Sequence, residues 1–138
     1  MKILYILVRT DMDSMRNCPG KGMAQASHAT SKFHNAMEAA STYGDAVVNA
    51  KWLTAFYEWK EQASGFGTVL TLGCTEAQMF QAINNAQRAG VPCGIVNDPT
   101  YPLRDGATTH FFPVNTCAWV FVDKFESGMI VGNLELHP

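Results

Sequence analysis

The chain has 138 residues, of which 47% are hydrophobic and 16% charged, and its formal net charge is −2. This length suits one domain with a core of its own, and the composition excludes a disordered or low-complexity protein. The net charge argues against a general binder of polyanions. Residues 1–34 nevertheless carry five Lys and Arg against two acids, and the remainder carries five against ten. Such a basic segment can meet a phosphate backbone locally, although ordinary solvated surface charge explains the same numbers.

No stretch is long and apolar enough for a membrane span or a signal peptide, because the longest early run, Ile3–Val8, is followed at once by charges. We therefore expect a cytoplasmic protein with no membrane partner. The four cysteines contain no C-x-x-C pair, and the histidines form no obvious ligand cluster. The sequence thus predicts reduced, mostly buried thiols and no metal site.

The N-terminal third predicts a strand and then a helix. The β-branched and aromatic run Lys2–Arg9 is typical of a strand buried on both faces. Residues 10–20 are polar and end in Cys-Pro-Gly, which predicts a loop. From Lys21 to about Ala40 the pattern is helical, and residues 41–44 predict a break.

A second helix and a strand–helix–strand unit follow. Asp45 can cap a helix that runs to about Gln62, with Trp52 and Trp59 spaced for core packing. After a loop at 64–67, a strand is expected at 68–72, a helix capped by Thr75 and ending at Gly90, and a strand at 91–96. This unit predicts a crossover with two parallel strands and the helix on one face.

The last third of the chain combines prolines with strand-like segments. Two prolines predict a loop at 98–102. Two separate strands are expected at 109–114 and 117–122, a helical turn at 123–128 and a final strand at 133–137. The whole chain is therefore predicted to be a single α/β domain, residues 1–138, with three α/β/α layers and a mixed sheet of four or five strands.

One helix face carries the first candidate site. At 100° per residue, Lys21, Gln25 and His28 fall on one stripe of the first helix. A helix N-terminus that carries free N–H groups and a lysine, beside Gly20, suits a phosphate or a developing oxyanion. Alternatively, Lys21 is simply an exposed helix-start residue and His28 a hydrogen-bonded core histidine.

Asp98 is the second candidate, because it follows the strand at 91–96, where open α/β sheets place their ligand crevice. A carboxylate there can orient or deprotonate a water molecule, although an Asp before Pro also forms ordinary turns. Thr109 and Thr116 start the strands that follow, and either could donate a hydrogen bond to a substrate. Strand propensity alone also explains both threonines.

Four segments, in the order in which they follow along the chain, resemble the type II (archaeal and eukaryotic-type) peptidyl-tRNA hydrolases. They are LVRTDM at residues 7–12, GKGMAQASHA at 20–29, AGVPCGIVND at 89–98 and GNLEL at 132–136. The family pattern has a strand, R-x-D-L/M, G-K-x-x-A-Q-x-x-H-A, a strand that ends in aspartate and a terminal G-H-L-K-L. The resemblance covers about two-thirds of the chain.

The resemblance implies hydrolysis of the ester of peptidyl-tRNA without a metal or organic cofactor. Lys21 would contact the tRNA phosphate or the oxyanion, Asp98 would activate or position water, and His28 would support the site. Gln25 would orient its neighbours. A threonine would complete the catalytic set, with Thr116 preferred to Thr109.

The same resemblance assigns substrate contacts to Gly20, Gln25, Arg9, Asp11 and Thr109. The chain departs from the family after Asp98, where Pro-Thr-Tyr-Pro replaces A-G-R-T and the loop is longer. Two rival functions therefore stand beside the first: a non-catalytic RNA- or protein-binding member of the fold, and a small-molecule hydrolase or transferase acting on a nucleotide-like anion. A homodimer formed through the apolar surface of the second helix is a further expectation.

Overall fold

The computed structural model describes residues 1–45 and 48–138. Its elements in chain order are β1 (Lys2–Arg9), α1 (Asp13–Arg16), α2 (Pro19–Tyr43), α3 (Ala50–Lys60), β2 (Val69–Cys74), α4 (Glu76–Arg88), β3 (Cys93–Asp105), β4 (Thr108–Asp123), α5 (Gly128–Val131) and β5 (Glu135–Leu136). The strands form one sheet in the order β3-β4-β1-β2-β5. Among the described strands only β1 and β2 pair in parallel, so the sheet is mixed. The predicted α/β class with a mixed five-stranded sheet is confirmed.

Helices cover both faces of the central strands. The Phe33 ring of α2 lies 5.3 Å from the Trp119 ring and 5.1 Å from the Phe121 ring of β4. Alternate residues of β4, such as Val120 and Val122, point to the other face and are also fully buried. There α4 packs against β1 to β4 and against α5. The predicted burial of β1 on both faces is confirmed.

The region between β1 and α3 corrects three predictions. Residues 10–20 are not all loop, because they contain α1, and α2 already starts at Pro19. Proline suits the first turn of a helix, because a backbone N–H there has no partner within the helix. The expected break at 41–44 is wrong up to Tyr43, since α2 continues until Gly44 adopts a φ of +82°.

The second helix begins later than expected. The Asn49 side chain caps α3 by accepting hydrogen bonds from the backbone N–H groups of Lys51 and Trp52. Asp45 instead accepts one from the Val48 N–H, at 3.1 Å. The predicted helical stretch at residues 46 and 47 lies outside the described residues. The core positions of Trp52 and Trp59 are confirmed, because both are buried.

The strand–helix–strand unit is partly as predicted. Thr75 and Gln78 form a capping box at the start of α4, and β2 and β3 run in the same direction. They are not neighbours, however, because β1 and β4 lie between them. The crossover therefore reaches the far edge of the sheet.

The predicted loop at 98–102 and the predicted strand break at 115–116 are both wrong. β3 runs through to Asp105, and β4 is continuous from Thr108 to Asp123. Prolines at 99 and 102 are tolerated because β3 is an edge strand. The hairpin turns at Gly106, whose φ is +60°. At the C-terminus, turn structure at 124–127 precedes α5, and the final strand is only Glu135–Leu136.

Gly67 is expected to be the glycine most sensitive to substitution. Its φ is +73°, and a Cβ atom there would lie 2.2 Å from the Trp59 ring. Gly44 has a similar φ of +82° but open space around it. We expect Gly67→Ala to lower the free energy of unfolding by about 1–3 kcal/mol more than Gly44→Ala does, because only the first overpacks the core. Urea unfolding of both variants checks this, and equal losses would contradict it.

Candidate functional site

Gln25 of α2 is the centre of the candidate site. Its side chain is 4% exposed, and every polar atom of its amide is engaged. The Nε2 group donates to Asp98 Oδ2 at 3.1 Å. The Oε1 atom accepts from Thr116 Oγ1 at 2.5 Å and lies 3.3 Å from His28 Nδ1. The amide therefore joins a carboxylate, a hydroxyl and an imidazole from three different elements.

Two strand irregularities aim Asp98 and Thr116 at Gln25. The pairing of β3 with β4 shifts between Val96 and Asn97, which leaves Thr116 as an extra residue. Such a bulge turns a side chain out of the regular alternation. Thr116 consequently shares the α2 face with Cys117, whose Sγ donates to the Gln25 carbonyl at 3.2 Å. A second shift follows Asp98, where two residues of β3 lie opposite one of β4.

The Asp98 carboxylate is held in its ionised form. Partial burial would raise its pKa, but hydrogen bonds from the Thr100 N–H, from Gln25 and from the Thr100 hydroxyl, together with the charge of His28, lower the pKa below the ordinary value. The Thr100 N–H donates to Oδ1 at 2.9 Å. Asp98 is therefore charged at neutral pH and accepts hydrogen bonds without donating any.

Lys21 lies one turn before Gln25, against the backbone of β3. Its Nζ donates to the Pro102 carbonyl at 3.0 Å and lies 5.0 Å from the centre of the Tyr101 ring. Tyr101 is fully buried, and its hydroxyl lies 3.0 Å from Ser14 Oγ. The contacts of Lys21 with Pro102 and of Gln25 with Asp98 show that α2 and β3 pass each other in opposite directions.

We call the line of contact between α2 and β3 the seam. A groove continues the seam beyond Asp98. Its volume is about 270 Å³, and His28 and Asp98 both line it. The remaining lining residues are polar or small: Ser31, Lys32, Asn35, Val96, Asn97 and Pro99. Space for a substrate therefore exists directly beside the Gln25 hydrogen-bond network.

Arg9 and Asp11 form a separate ionic cluster. Arg9 Nε donates to Asp11 Oδ1 at 2.8 Å, and Arg9 Nη1 donates to Glu76 Oε2 at 2.9 Å and to the Asn115 carbonyl at 3.1 Å. The hydrogen bond from Arg9 is the main influence that lowers the pKa of Asp11 against the opposing effect of burial. The cluster adjoins the bulge at Thr116 through Asn115, so it braces the site and is already internally paired.

Two other predicted site residues lie away from Gln25. Gly20 is exposed in the first turn of α2, and nothing lies within 4 Å of where its Cβ would be. Thr109 pairs with Arg104 near the hairpin turn. The structure therefore brings Thr116, and not Thr109, to the stripe of Lys21, Gln25 and His28.

Sequence reasoning missed Tyr101, Thr100 and Ser14, which support Lys21 and Asp98. The two prolines predict a loop for the Pro-Thr-Tyr-Pro segment, and a buried tyrosine is not expected in a loop. Glu76, the other partner of Arg9, was missed as well. It carries a usable signal, since it is the first residue of a capped helix that follows β2.

Neither a metal-binding cluster nor a membrane-spanning helix is found in residues 1–45 and 48–138. In these ranges no group of three or more His, Cys, Asp or Glu side chains is placed to hold a metal ion. No helix within the same ranges has the length and apolar character needed to cross a bilayer.

The fold and the site define an α/β protein with a polar seam between one helix and an edge strand. The family model described as peptidyl-tRNA hydrolase PTH2 matches residues 2–135. The chain therefore belongs to the peptidyl-tRNA hydrolase PTH2 family, which confirms the resemblance seen in its motifs. A search of curated proteins found no significant match.

Proposed function

We propose that this protein hydrolyses the ester that joins a peptide to tRNA, and releases the free tRNA and the peptide. Membership of the family supports hydrolase activity on peptidyl-tRNA in general. The observation that carries the specific proposal is the Gln25 amide, which holds Asp98, Thr116 and His28 together one turn from Lys21.

The reaction needs a water molecule, a place for its proton and stabilisation of negative charge. Water attacks the ester carbonyl carbon, and the bond from that carbon to the ribose oxygen breaks. The carbonyl oxygen carries negative charge in between, and the leaving ribose oxygen takes up a proton. The described side chains can supply these functions, so the proposal includes no metal and no cofactor.

Asp98 is assigned to positioning the water. A carboxylate whose pKa is lowered is a weak proton acceptor, because general bases work best with a pKa near the working pH. Its oxygens can nevertheless accept a hydrogen bond from water and fix the direction of attack. His28 lines the same groove. If its Nδ1–H donates to Gln25 Oε1, its Nε2 has a free lone pair that can accept the proton of water.

Lys21 is assigned to the negative charge. Its ammonium group carries three donors, and within residues 1–45 and 48–138 one of them is engaged, by the Pro102 carbonyl at 3.0 Å. The other two can reach the developing oxyanion or a tRNA phosphate. Thr116 and Gln25 are assigned to holding the geometry, since both are buried. The substrate is a product of translation, so a cytoplasmic location belongs to the same proposal.

The test is release of tRNA from peptidyl-tRNA by the wild-type protein and by Asp98→Asn. We expect the variant to lose roughly 100-fold in rate, because even a small misplacement of the attacking water costs about that much. Since the pKa of Asp98 is lowered, its charge does not change between about pH 5 and 8, and the wild-type pH–rate profile should show no inflection from it there.

Asp123→Asn is the matched control. Asp123 also accepts a backbone N–H two residues ahead, from Phe125 at 3.0 Å, and its pKa is also lowered, but it lies at the far end of β4. It should keep full activity. A wild-type protein that releases no tRNA even at high concentration would favour the rival function, a non-catalytic RNA- or protein-binding member of the fold. Binding that barely weakens with added salt would favour a small-anion site, because binding of tRNA releases counterions.

A further inference from the structure

The distal part of the β3–β4 hairpin extends beyond the rest of the sheet. β1 pairs with β4 only over residues 117–123, so residues 97–105 and 108–115 pair only with each other. We call these two segments the ribbon. Two adjacent aromatic residues of the ribbon are exposed, Phe111 by 64% and Phe112 by 48%. Each ring therefore presents apolar surface to solvent on the projecting part of the hairpin.

The register assigns these two rings to opposite faces of the ribbon. Directly paired residues share a face, and Tyr101 is paired with Phe112 whereas Pro102 is paired with Phe111. Tyr101 is the residue whose ring lies under the Lys21 ammonium group, so Phe112 lies on the face of Lys21. Phe111 points the other way.

His110 extends the Phe112 surface away from the site. It lies two residues from Phe112, and the two ring centres are 6.1 Å apart. Its partner Leu103 follows Tyr101 by two residues on the same face. The exposed rings of Phe112 and His110 therefore continue the face on which Lys21 covers the buried Tyr101 ring. The groove on the other side of Asp98 has no Phe, Tyr or Trp among its lining residues.

We propose that the Phe112 face of the ribbon binds the single-stranded 3′ end of the tRNA by stacking a nucleobase on the Phe112 ring. This inference rests on the proposed function, because the ester to be cut is carried by the terminal nucleotide. With that ester beside Asp98, the nucleotides before it must leave along one side of the seam. Aromatic rings beside a lysine are the usual surface for unpaired nucleotides, since every base offers a flat face and every linkage a negative charge.

The alternative direction fits the peptide better than the RNA. The groove beyond Asp98 presents Ser31, Asn35 and Asn97, whose hydroxyl and amide groups match the hydrogen-bonding groups of a peptide backbone. It also contains Lys32, but no aromatic ring lines it to stack a base beside that charge. The substrate would thus lie along the seam between α2 and β3, with its RNA on the ribbon and its peptide in the groove.

The experiment measures the Kd of a short, fluorescently labelled single-stranded RNA ending in C-C-A, at low salt. Four proteins are compared: wild type, Phe112→Ala, Phe112→Tyr and Phe111→Ala. Loss of one stacked base should raise the Kd at least about fivefold in Phe112→Ala. Phe112→Tyr should stay within about twofold of wild type because its ring still stacks. Phe111→Ala is the matched control, more exposed yet on the other face, and should also bind like wild type. A blunt RNA duplex should bind without this discrimination.

Three results would overturn the inference: equal losses in the two alanine variants, no loss in Phe112→Ala, or no binding by wild type at the highest RNA concentration. Thermal unfolding of each variant shows whether the ribbon is still folded, and the behaviour of Phe112→Tyr separates stacking from folding. Hydrolysis of peptidyl-tRNA is measured in parallel, where Phe112→Ala should raise KM more than it lowers kcat. If Phe112→Ala hydrolyses peptidyl-tRNA as fast as the wild type does, this inference alone is overturned. If the variants differ in RNA binding as expected but the wild type hydrolyses no peptidyl-tRNA, only the proposed function is overturned.

Discussion

Lys21→Ala is expected to lower the rate of tRNA release by roughly 100- to 1,000-fold, which is the usual effect of removing one donor from a developing oxyanion. The fold should survive. The substitution removes one hydrogen bond to the Pro102 carbonyl and one contact with the Tyr101 ring, but it also removes a cation from a helix N-terminus. We therefore expect the free energy of unfolding to change by no more than about 1 kcal/mol. Rate assays and urea unfolding of the same preparation measure both quantities.

Lys51→Ala is a closely matched control for this experiment. Lys51 also lies in the first turn of a helix, α3, and its ammonium group lies 5.1 Å from the centre of the Trp52 ring. It shares the local chemistry of Lys21 but is remote from Gln25. Full activity in Lys21→Ala, or an equal loss in Lys51→Ala, would contradict the role assigned to Lys21.

Gln25→Leu is expected to combine a large loss of activity with a loss of stability. The leucine leaves the buried Thr116 hydroxyl without its 2.5 Å acceptor and Asp98 without its amide donor. An orphaned buried group costs about 1–3 kcal/mol of unfolding free energy. Because Asp98 and His28 lose their common support, the rate should fall roughly 100-fold, the effect of a small misplacement of reacting groups.

A double variant separates these two effects. In Gln25→Leu/Thr116→Val the orphaned hydroxyl is gone, and replacement of both partners by apolar groups is close to neutral for stability. The double variant should therefore regain most of the lost unfolding free energy while its activity stays low. Recovery of activity together with stability would mean that Gln25 acts only on folding. Urea unfolding and rate assays of both variants distinguish these outcomes.

The elements that could be predicted from sequence are those defined by local patterns. β1 is an uninterrupted apolar run, α4 has a capping box, and Trp52 and Trp59 have helical spacing. The β3 half of the ribbon could not be predicted, because two prolines look like loop signals until the strand is known to lie at the sheet edge. The strand predicted at 109–114 does lie within β4. Sheet order is set by contacts between distant segments, so the places of β2 and β3 were also not predictable from their neighbours.

The candidate site divides in the same way. Lys21, Gln25 and His28 share one stripe because helix geometry is local and regular. The choice between Thr116 and Thr109 depends on a bulge between two strands, and a one-residue shift in register changes the face of every side chain. Tyr101 was missed for a related reason, since only the pairing of β3 with β4 shows that its segment is a strand. The catalytic roles assigned to these residues, and the homodimer, stay predictions; the apolar face of α3 packs into the chain's own core.

The edge of β3 also bears on the solubility of the protein. An edge strand normally offers a row of N–H groups to which another chain can add a strand. Pro99 and Pro102 have no N–H, and the Thr100 N–H already donates to Asp98. Of residues 99–102, only Tyr101 therefore has a backbone N–H that is neither missing, as in proline, nor donated to a side chain. The part of β3 beside α2 therefore offers few donors to an added strand, which disfavours strand addition next to the exposed phenylalanines of the ribbon.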